Sequence, residues 1–366
     1  MKRTWIIGLF LFCLCMQTNA QLEWRGQAST WGLLHPESVP YVGVGLRYIP
    51  ELSFQKDVGN GWQLDAEAAL HAHAFWMDHG ALEGILKPYR LWLRATNAQW
   101  ELRAGLQKIN FGSAQLFRPL MWFDQVDPVD PLQLTDGVWA MMGRYVWLNN
   151  ANVWLWALPG GQDKRLWDLE ASRSDVPELG GRLQLPLRRG EMAASIHRRV
   201  LKGTEERLRT SETRVGLDGR LDLGLGLWYE ATWMGVSRNV GLRTQQIAAT
   251  VGADYTLPLG NGLGLMVEQL FYAYGTHLNA LESPMMLTAL SVSYPVDIQR
   301  DARAMVYYEP RHSSVFGFLM WGRTWDALRL HALLYSNPSL LQLPVLQSST
   351  SYFAGSGIQV TLIWNH

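Results

Sequence analysis

The chain has 366 residues, 32 basic side chains balanced by 32 acidic ones, only 17% charged residues, 34 Gly and 18 Trp. A formal charge of zero excludes a sequence-independent grip on nucleic acid, which needs a basic excess. A hydrophobic share of 48% excludes disorder, and a mean hydropathy of -0.07 is far too low for a helical membrane protein. The apolar residues must therefore be dispersed among polar ones, in two soluble domains or in one large single-layer structure.

The first residues read as a secretory leader. Lys2 and Arg3 are its positive end, residues 5–16 its apolar stretch, and Thr18-Asn19-Ala20 its small-residue end, with cleavage expected after Ala20. The apolar stretch is shorter than the roughly 20 residues a spanning helix needs, which disfavours a membrane anchor. Both cysteines, Cys13 and Cys15, lie within it, so residues 21–366 contain none. Disulfides, thiol catalysis and Cys-ligated zinc are thereby excluded from the exported form.

Beyond Gln21 the dominant period is two. In 62–76, Trp62, Leu64, Ala66, Ala68, Leu70, Ala72, Ala74 and Trp76 share one face, and Gln63, Asp65, Glu67, His71 and His73 the other. The pattern recurs at 99–107, 225–233 and 247–257, and again near the end, where Ile358, Val360, Leu362 and Trp364 oppose Gln359, Thr361 and Asn365. Strands of about 9–11 residues, apolar on one face with aromatic ends, predict an all-β transmembrane antiparallel barrel. A soluble sandwich also alternates, but its strands are usually about 5–6 residues long and need a second sheet to cover the apolar face.

Strands are expected at 22–32, 41–49, 62–76, 88–96, 99–107, 138–148, 151–158, 180–188, 191–199, 212–222, 225–234, 246–257, 263–274, 286–294, 302–309, 314–323, 326–335 and 356–365. That makes 18, or 16 if the weakly patterned first and sixteenth fail. Tight connections follow even-numbered strands. Long ones, at 108–137, 159–179, 200–211, 235–245, 275–285 and 336–355, follow odd-numbered strands. Short periplasmic turns alternating with long external loops are the barrel pattern and put both termini on the periplasmic side. Residues 21–366 are expected to form a single outer-membrane barrel.

A barrel of 16–18 strands leaves an aqueous lumen unless something plugs it. The expected inward faces carry Arg90, Arg94, Arg103, Arg144, Arg182, Arg214 and Arg220, with Asp65, Glu67, Glu101, Asp218, Asp222 and Glu230. Guanidinium groups hold carboxylate or phosphate bidentately, so an arginine track suits anionic solutes. The competing reading is that these charges pair with one another and keep the wall rigid and wet. The third external loop, 108–137, contains Leu116, Phe117, Leu120, Met121, Trp122 and Phe123 and is too apolar for a solvated loop. It is expected to fold into the lumen as a constriction, its Asp124, Asp127, Asp130 and Asp136 facing the arginines across the path. Turn formation explains the same Asp-Pro and Asp-Gly pairs, and the spacing lacks the alternating acids and terminal Glu of a helix-loop-helix calcium site.

The stretch 102–112, LRAGLQKINFG, with the Asp-rich loop after it, resembles the strand and loop of alginate-export-type and related porins of Gram-negative bacteria. Leu106 stands where that family commonly has Arg. The Asn-Ala-Gln leader end and the Trp-rich strands look like Bacteroidetes outer-membrane proteins. The resemblance spans 102–137 and implies an 18-stranded barrel, passive passage of solutes and no catalytic centre.

Enzymatic barrels use Asp and His near the rim, and His71 and His73 share a face with Asp65 and Glu67. Glu67 lies about 13 Å from His71 along the strand, beyond direct pairing; Asp78 or His79 would have to supply a partner. The two histidines, about 6–7 Å apart, would hold a metal only with a third ligand that the sequence does not identify. There is no nucleophile elbow and no phosphate loop. The expected partners are outer-membrane lipid and lipopolysaccharide, small polar solutes, and a second copy or an outer-membrane partner protein. No cofactor is implied. The sequence favours a porin-like channel over a barrel subunit of an export, secretion or surface-assembly complex, and over an outer-membrane hydrolase.

Overall fold

Alternation of apolar and polar side chains places one kind on each face of an extended chain, because successive side chains of a strand point to opposite sides. The computed structural model describes residues 20–366 apart from 37–40, 78–79, 81, 125–133, 162–163, 166, 169, 203–209, 241–242 and 338–354. Of the expected leader, all but Ala20 lies outside the described residues.

The strands, in order, are β1 (Ala20–His35), β2 (Tyr41–Gly59), β3 (Trp62–Met77), β4 (Glu83–Thr96), β5 (Trp100–Gln107), β6 (Val138–Val146), β7 (Asn152–Leu158), β8 (Glu178–Leu187) and β9 (Gly190–Leu201). They continue as β10 (Thr210–Asp222), β11 (Gly226–Val236), β12 (Gln245–Leu257), β13 (Leu263–His277), β14 (Ala280–Pro295), β15 (Arg300–Glu309), β16 (Ser314–Trp325), β17 (Leu328–Asn337) and β18 (Gly355–Asn365). Each pairs antiparallel with its sequence neighbours, and β1 pairs with β18 from Gln27↔Asn365 to Leu34↔Ile358. The 18 strands thus close into one up-and-down barrel, and closure removes the edges that an open sheet would expose. All 18 expected strands are present.

The outer face is a band of exposed apolar side chains, among them Leu70, Leu91, Leu93, Leu217 and Phe271, with Trp24, Trp76, Trp100 and Trp364 also exposed on it. The opposite face holds buried polar groups such as Asp65, Arg182, Asp218, Glu230 and Glu268. Apolar out and polar in is the inverse of a soluble core and is stable only in lipid. The architecture is that of an outer-membrane β-barrel.

The connection between β2 and β3 shows how tight the short end is. Gly59, Asn60 and Gly61 adopt φ of 84°, 54° and 74°, a left-handed run that glycine and asparagine tolerate. β2 runs ten residues past its expected end at 49, through Pro50; its ladder with β3 passes from Tyr48↔Ala72 to Glu51↔Ala69 with no pairs between, as a residue without an N–H requires. The expected long loop at 275–285 is a correction. β13 and β14 stay paired out to His277↔Ala280, with irregularities at 272–274 and 275–277, so most of that segment is hydrogen-bonded hairpin.

Candidate functional site

The segment after β5 has no secondary structure through Asp124, so its backbone groups need other partners. Wall carboxylates supply them. Glu268 on β13 accepts from Gln115 N at 2.6 Å through Oε1, and from Leu116 N and Phe117 N at 2.9 and 2.8 Å through Oε2. Glu230 on β11 accepts from Ala114 N at 2.8 Å and Leu120 N at 3.1 Å. A Cβ on Gly112, whose φ is 106°, would stand 2.2 Å from Glu230 Oε1, so only glycine lets the chain come this close.

The apolar residues of the segment bridge two walls. Ile109, Phe111, Leu120, Trp122 and Phe123 pack on β6 and β7 through Val138, Ala140, Met142, Trp156 and Leu158. Phe117, with Trp167 from the β7–β8 connection, packs on β11–β16 through residues such as Met234, Leu270, Leu287 and Tyr307. A cavity of about 690 Å³ is lined by Gln115 and Leu116 of the segment and by Asp254, Ser291, Ser293 and Arg303 among others.

A buried charge cluster fixes the second inserted segment. Asp168 meets Arg165 at 3.1 Å, Arg199 at 2.7 Å, and Arg214. Arg199 also meets Glu212 at 2.7 Å, and Arg165 meets Glu178 at 2.7 Å. Burial pushes the Asp168 carboxyl up, but Arg214, Arg199 and Arg165 outweigh it and hold the group below the ordinary carboxylate range. His197 completes the network, its Nε2 at 3.0 Å from Glu178 and its Nδ1 at 3.2 Å from Trp156 Nε1. An indole N–H only donates, so Nδ1 accepts and Nε2–H donates to Glu178. Both ring nitrogens of His197 are thereby engaged within the wall.

The residues expected to line the pore all lie on the inner face, and most of their charges are paired within the wall. Arg94 meets Asp65 at 3.0 Å and Arg103 meets Glu101 at 2.6 Å. Arg182 forks onto Asp218 at 2.5 and 2.8 Å. Arg214 belongs to the buried cluster, and Arg220 lies 3.4 Å from Asp254 and 3.6 Å from Asp222. Arg90 donates to Thr135 O and Oγ1 at 2.8 and 3.0 Å, while Arg144 covers the Trp154 ring at 4.9 Å. Glu67 is half-buried.

Of the loop acids, Asp127 and Asp130 lie outside the described residues. Asp136 is exposed and bonds Lys87 at 2.6 Å. Asp124 is 2% exposed and neither of its oxygens has a hydrogen-bond partner. Burial pushes its carboxyl up to about 7, against the pull of Lys108, Arg90 and Arg118. Among the described residues no three His, Cys, Asp or Glu converge as metal ligands around His71 and His73 or elsewhere; Asp78 and His79 lie outside them.

Sequence reasoning missed Glu268, Asp168, Arg165, Arg199, Glu178 and His197. One signal was available for Asp168: its neighbour Trp167 is a large aromatic in a mostly polar connection, and such a residue wants cover. The remaining wall, β17, β18 and β1–β4, is different. Its inner face carries Arg329, Thr361, Ser29, Arg47, Glu51, His71 and His73, several of them half-buried. The hydrogen bonds that tie the described loop segments to this half fall on β4, from Lys87 to Asp136 and from Arg90 to Thr135.

No family model and no curated protein matches the chain. Solved structures do. OmpT, an outer membrane protein of Vibrio cholerae described in trimer form, is similar at a TM-score of 0.54 and 12% identity over 95% of this chain and 100% of that one. An anion-selective porin from Comamonas acidovorans gives the same TM-score, identity and coverage. Salmonella typhi OmpF, solved with daunomycin, gives 0.51 and 10% over 94% of this chain and 97% of that one. At these identities the likeness is one of fold, and the fold shared along nearly the whole chain is the porin-like outer-membrane β-barrel.

Proposed function

We propose that this barrel is a porin-like, non-enzymatic channel for passive passage of small polar solutes, anions among them. The observation that carries the reading is the division of the lumen. The described loop segments pack against β6, β7 and β11–β16, whereas on the inner face of β2, β3 and β17 the polar side chains Arg47, Glu51, His71, His73 and Arg329 stay half-buried beside buried residues such as Leu33, His35, Leu333 and Thr361. The path runs along that second wall, with 108–137 as the constriction, the short-turn end periplasmic and 1–20 removed on export. The alginate-export-type resemblance of 102–137 supports a loop in this role, and a similar barrel is described as an anion-selective porin.

Single-channel conductance in a planar bilayer tests passage, and reversal potentials under a salt gradient test the charges. Neutralising Arg90, Arg94 and Arg103 together should shift selectivity toward cations, and neutralising Asp124, Asp127 and Asp130 toward anions. Both shifts should shrink as salt rises, because the Debye length falls from about 10 Å at 0.1 M to about 3 Å at 1 M. A folded barrel that stays silent would favour a subunit of an export or surface-assembly complex instead. Conduction with neither shift would make these residues wall structure.

A further inference from the structure

The cavity beside Gln115 and Leu116 lies toward the short-turn end of the lumen, because its wall includes Gly224 between β10 and β11, Gly226 at the start of β11 and Gly264 near the start of β13. Two rungs of register partners form its floor. One runs Asp254, Met266, Ser291 and Met305 across β12 to β15; the other, two residues nearer the turns, runs Thr256, Gly264, Ser293 and Arg303. Register partners share a face, so Gly264, Ser291 and Ser293 in the middle leave a recess that larger side chains would fill. At one side, a Cβ on Gly226 would stand 1.9 Å from Asp254 Oδ1, so the carboxylate lies over a glycine.

The recess has opposite charges at its two sides. Asp254 and Arg303 are the charged groups among the residues that line it. Arg303 is exposed, and its side chain makes no ion pair or hydrogen bond among the described residues. Its same-face neighbour Asp301 is bonded instead to Arg329 at 3.0 Å. Across the floor, Asp254 at 3.4 Å and Asp222 at 3.6 Å share one base, Arg220. That side carries one negative charge in excess, and the Arg303 side one positive. The hydroxyls of Thr256, Ser291 and Ser293 between them make no hydrogen bond among the described residues.

We infer that this recess is a binding subsite for small zwitterions of the α-amino acid type, with the carboxylate on Arg303 and the ammonium on Asp254. The inference rests on the passage proposed above, through which such a solute reaches the recess. Charge selects the class. A simple anion is attracted by Arg303 and repelled by the acid excess opposite, a simple cation meets the reverse, and a zwitterion gains at both ends. The guanidinium fork matches a carboxylate, and an ammonium brings three donors, which Asp254 and the Ser291 hydroxyl can accept. Spacing agrees. Asp254 and Arg303 stand three strands apart, about 14 Å between backbones at roughly 4.8 Å per strand. Side chains leaning inward shorten that span to one that a small molecule bridges with a hydrogen bond of about 3 Å at each end. Leu116, Met266 and Met305 offer contact to a small apolar side chain.

The test is titration of the detergent-folded barrel with L-alanine, propionate and ethylamine, read by saturation-transfer NMR, alongside conductance of the same preparation. Propionate is alanine without its ammonium, and ethylamine is alanine without its carboxylate. L-alanine should bind about three- to tenfold more tightly than either, the range of one partly solvated charged contact. Arg303→Gln should weaken L-alanine by that factor and leave ethylamine unchanged. Asp254→Asn should weaken L-alanine and not propionate, whereas a residue that only shapes the wall would move all three probes alike. Gly226→Ala, which keeps both charges but takes the place of the Asp254 carboxylate, should act like Asp254→Asn and serves if that variant fails to fold. Propionate or ethylamine binding as tightly as L-alanine, or L-alanine binding unaltered in Arg303→Gln, would overturn the subsite. A silent barrel with the expected binding pattern would retire the channel and keep the subsite. A conducting barrel without that pattern would do the reverse.

Discussion

The two halves of the lumen wall solve different problems with the same outer face. Against β6–β16 the inner side chains behave as the core of a soluble protein: Phe117, Trp122, Leu270 and Leu287 are buried together, and the charges beside them are closed into networks. Arg165, Arg199 and Arg214 face Asp168, Glu178 and Glu212, three positive groups against three negative. Such a cluster cancels its own field and contributes order rather than selectivity. Along β17, β18 and β1–β4 the inner face mixes buried side chains, among them Leu33, His35, Leu333, Gln359 and Thr361, with half-buried polar ones such as Arg47, Glu51, His71, His73 and Arg329. The difference shows that an arginine count cannot rank pore residues; what matters is which guanidinium groups have already found a carboxylate.

Breaking the packed half should give the largest effect. Asp168→Ala leaves three guanidinium groups around an empty position whose side chain was fully buried, and removing one partner of a buried ion pair costs about 3–5 kcal/mol. Urea titration of the lipid-folded barrel measures it. Asp175→Ala, which removes an exposed carboxylate bonded to Arg173 on the same connection, should leave the midpoint where it was. Equal midpoints for the two variants would mean that the inserted segment does not stabilise the barrel.

The open half is tested by comparing neighbours on β3. Leu70 is 48% exposed on the outer face, and Leu70→Arg should cost about 2–4 kcal/mol if it sits near the bilayer midplane. His71→Arg points to the lumen and should fold at the wild-type midpoint. A reversal of that order would invert the assignment of faces for β3 and, through its register, for β2 and β4.

The strands were legible because lipid imposes apolar residues on every second position of the outer face, as at Ala68, Leu70 and Ala72. Where a strand leaves that constraint the pattern fades. The hairpin arm at 275–285 carries Gly275, Glu282 and Pro284 and reads as a loop, yet pairs as β13 and β14. The apolar content of 108–124 was legible as a need for cover, whereas the clamps were not. Glu230 and Glu268 look like ordinary inward polar residues, and nothing local marks them as acceptors for backbone N–H groups more than 100 residues away. Asp168 was hidden for the same reason: besides Arg165 three residues before it, its partners Arg199 and Arg214 come from β9 and β10, and only the pairing of those strands brings them together.

The smallest expected effect joins the two halves, because Asp124 at the end of the described packed segment has Arg90 of β4 among the charged groups around it. Its carboxyl is buried without a hydrogen-bond partner and titrates near 7, with Lys108, Arg90, Arg118 and Asp136 as the charged groups around it. In the unfolded chain the same carboxyl titrates near 4. The folded state therefore binds the proton more tightly, and the sign follows from linkage. The contribution to stability is complete below about pH 4 and declines as pH rises, until it is lost through about pH 7. Across the single unit from pH 6 to 7 the loss is at most about 1.4 kcal/mol. Hydrogen-exchange protection at the amides of Ala114, Phe117 and Leu120, corrected for intrinsic rates, reads the opening of this segment. Protection should fall between pH 6 and 8 in the wild type and stay level in Asp124→Asn, whose amide cannot ionise. If wild type and variant keep the same slope, the Asp124 carboxyl is solvated, and the segment is held by Glu230 and Glu268 without any contribution from its buried acid.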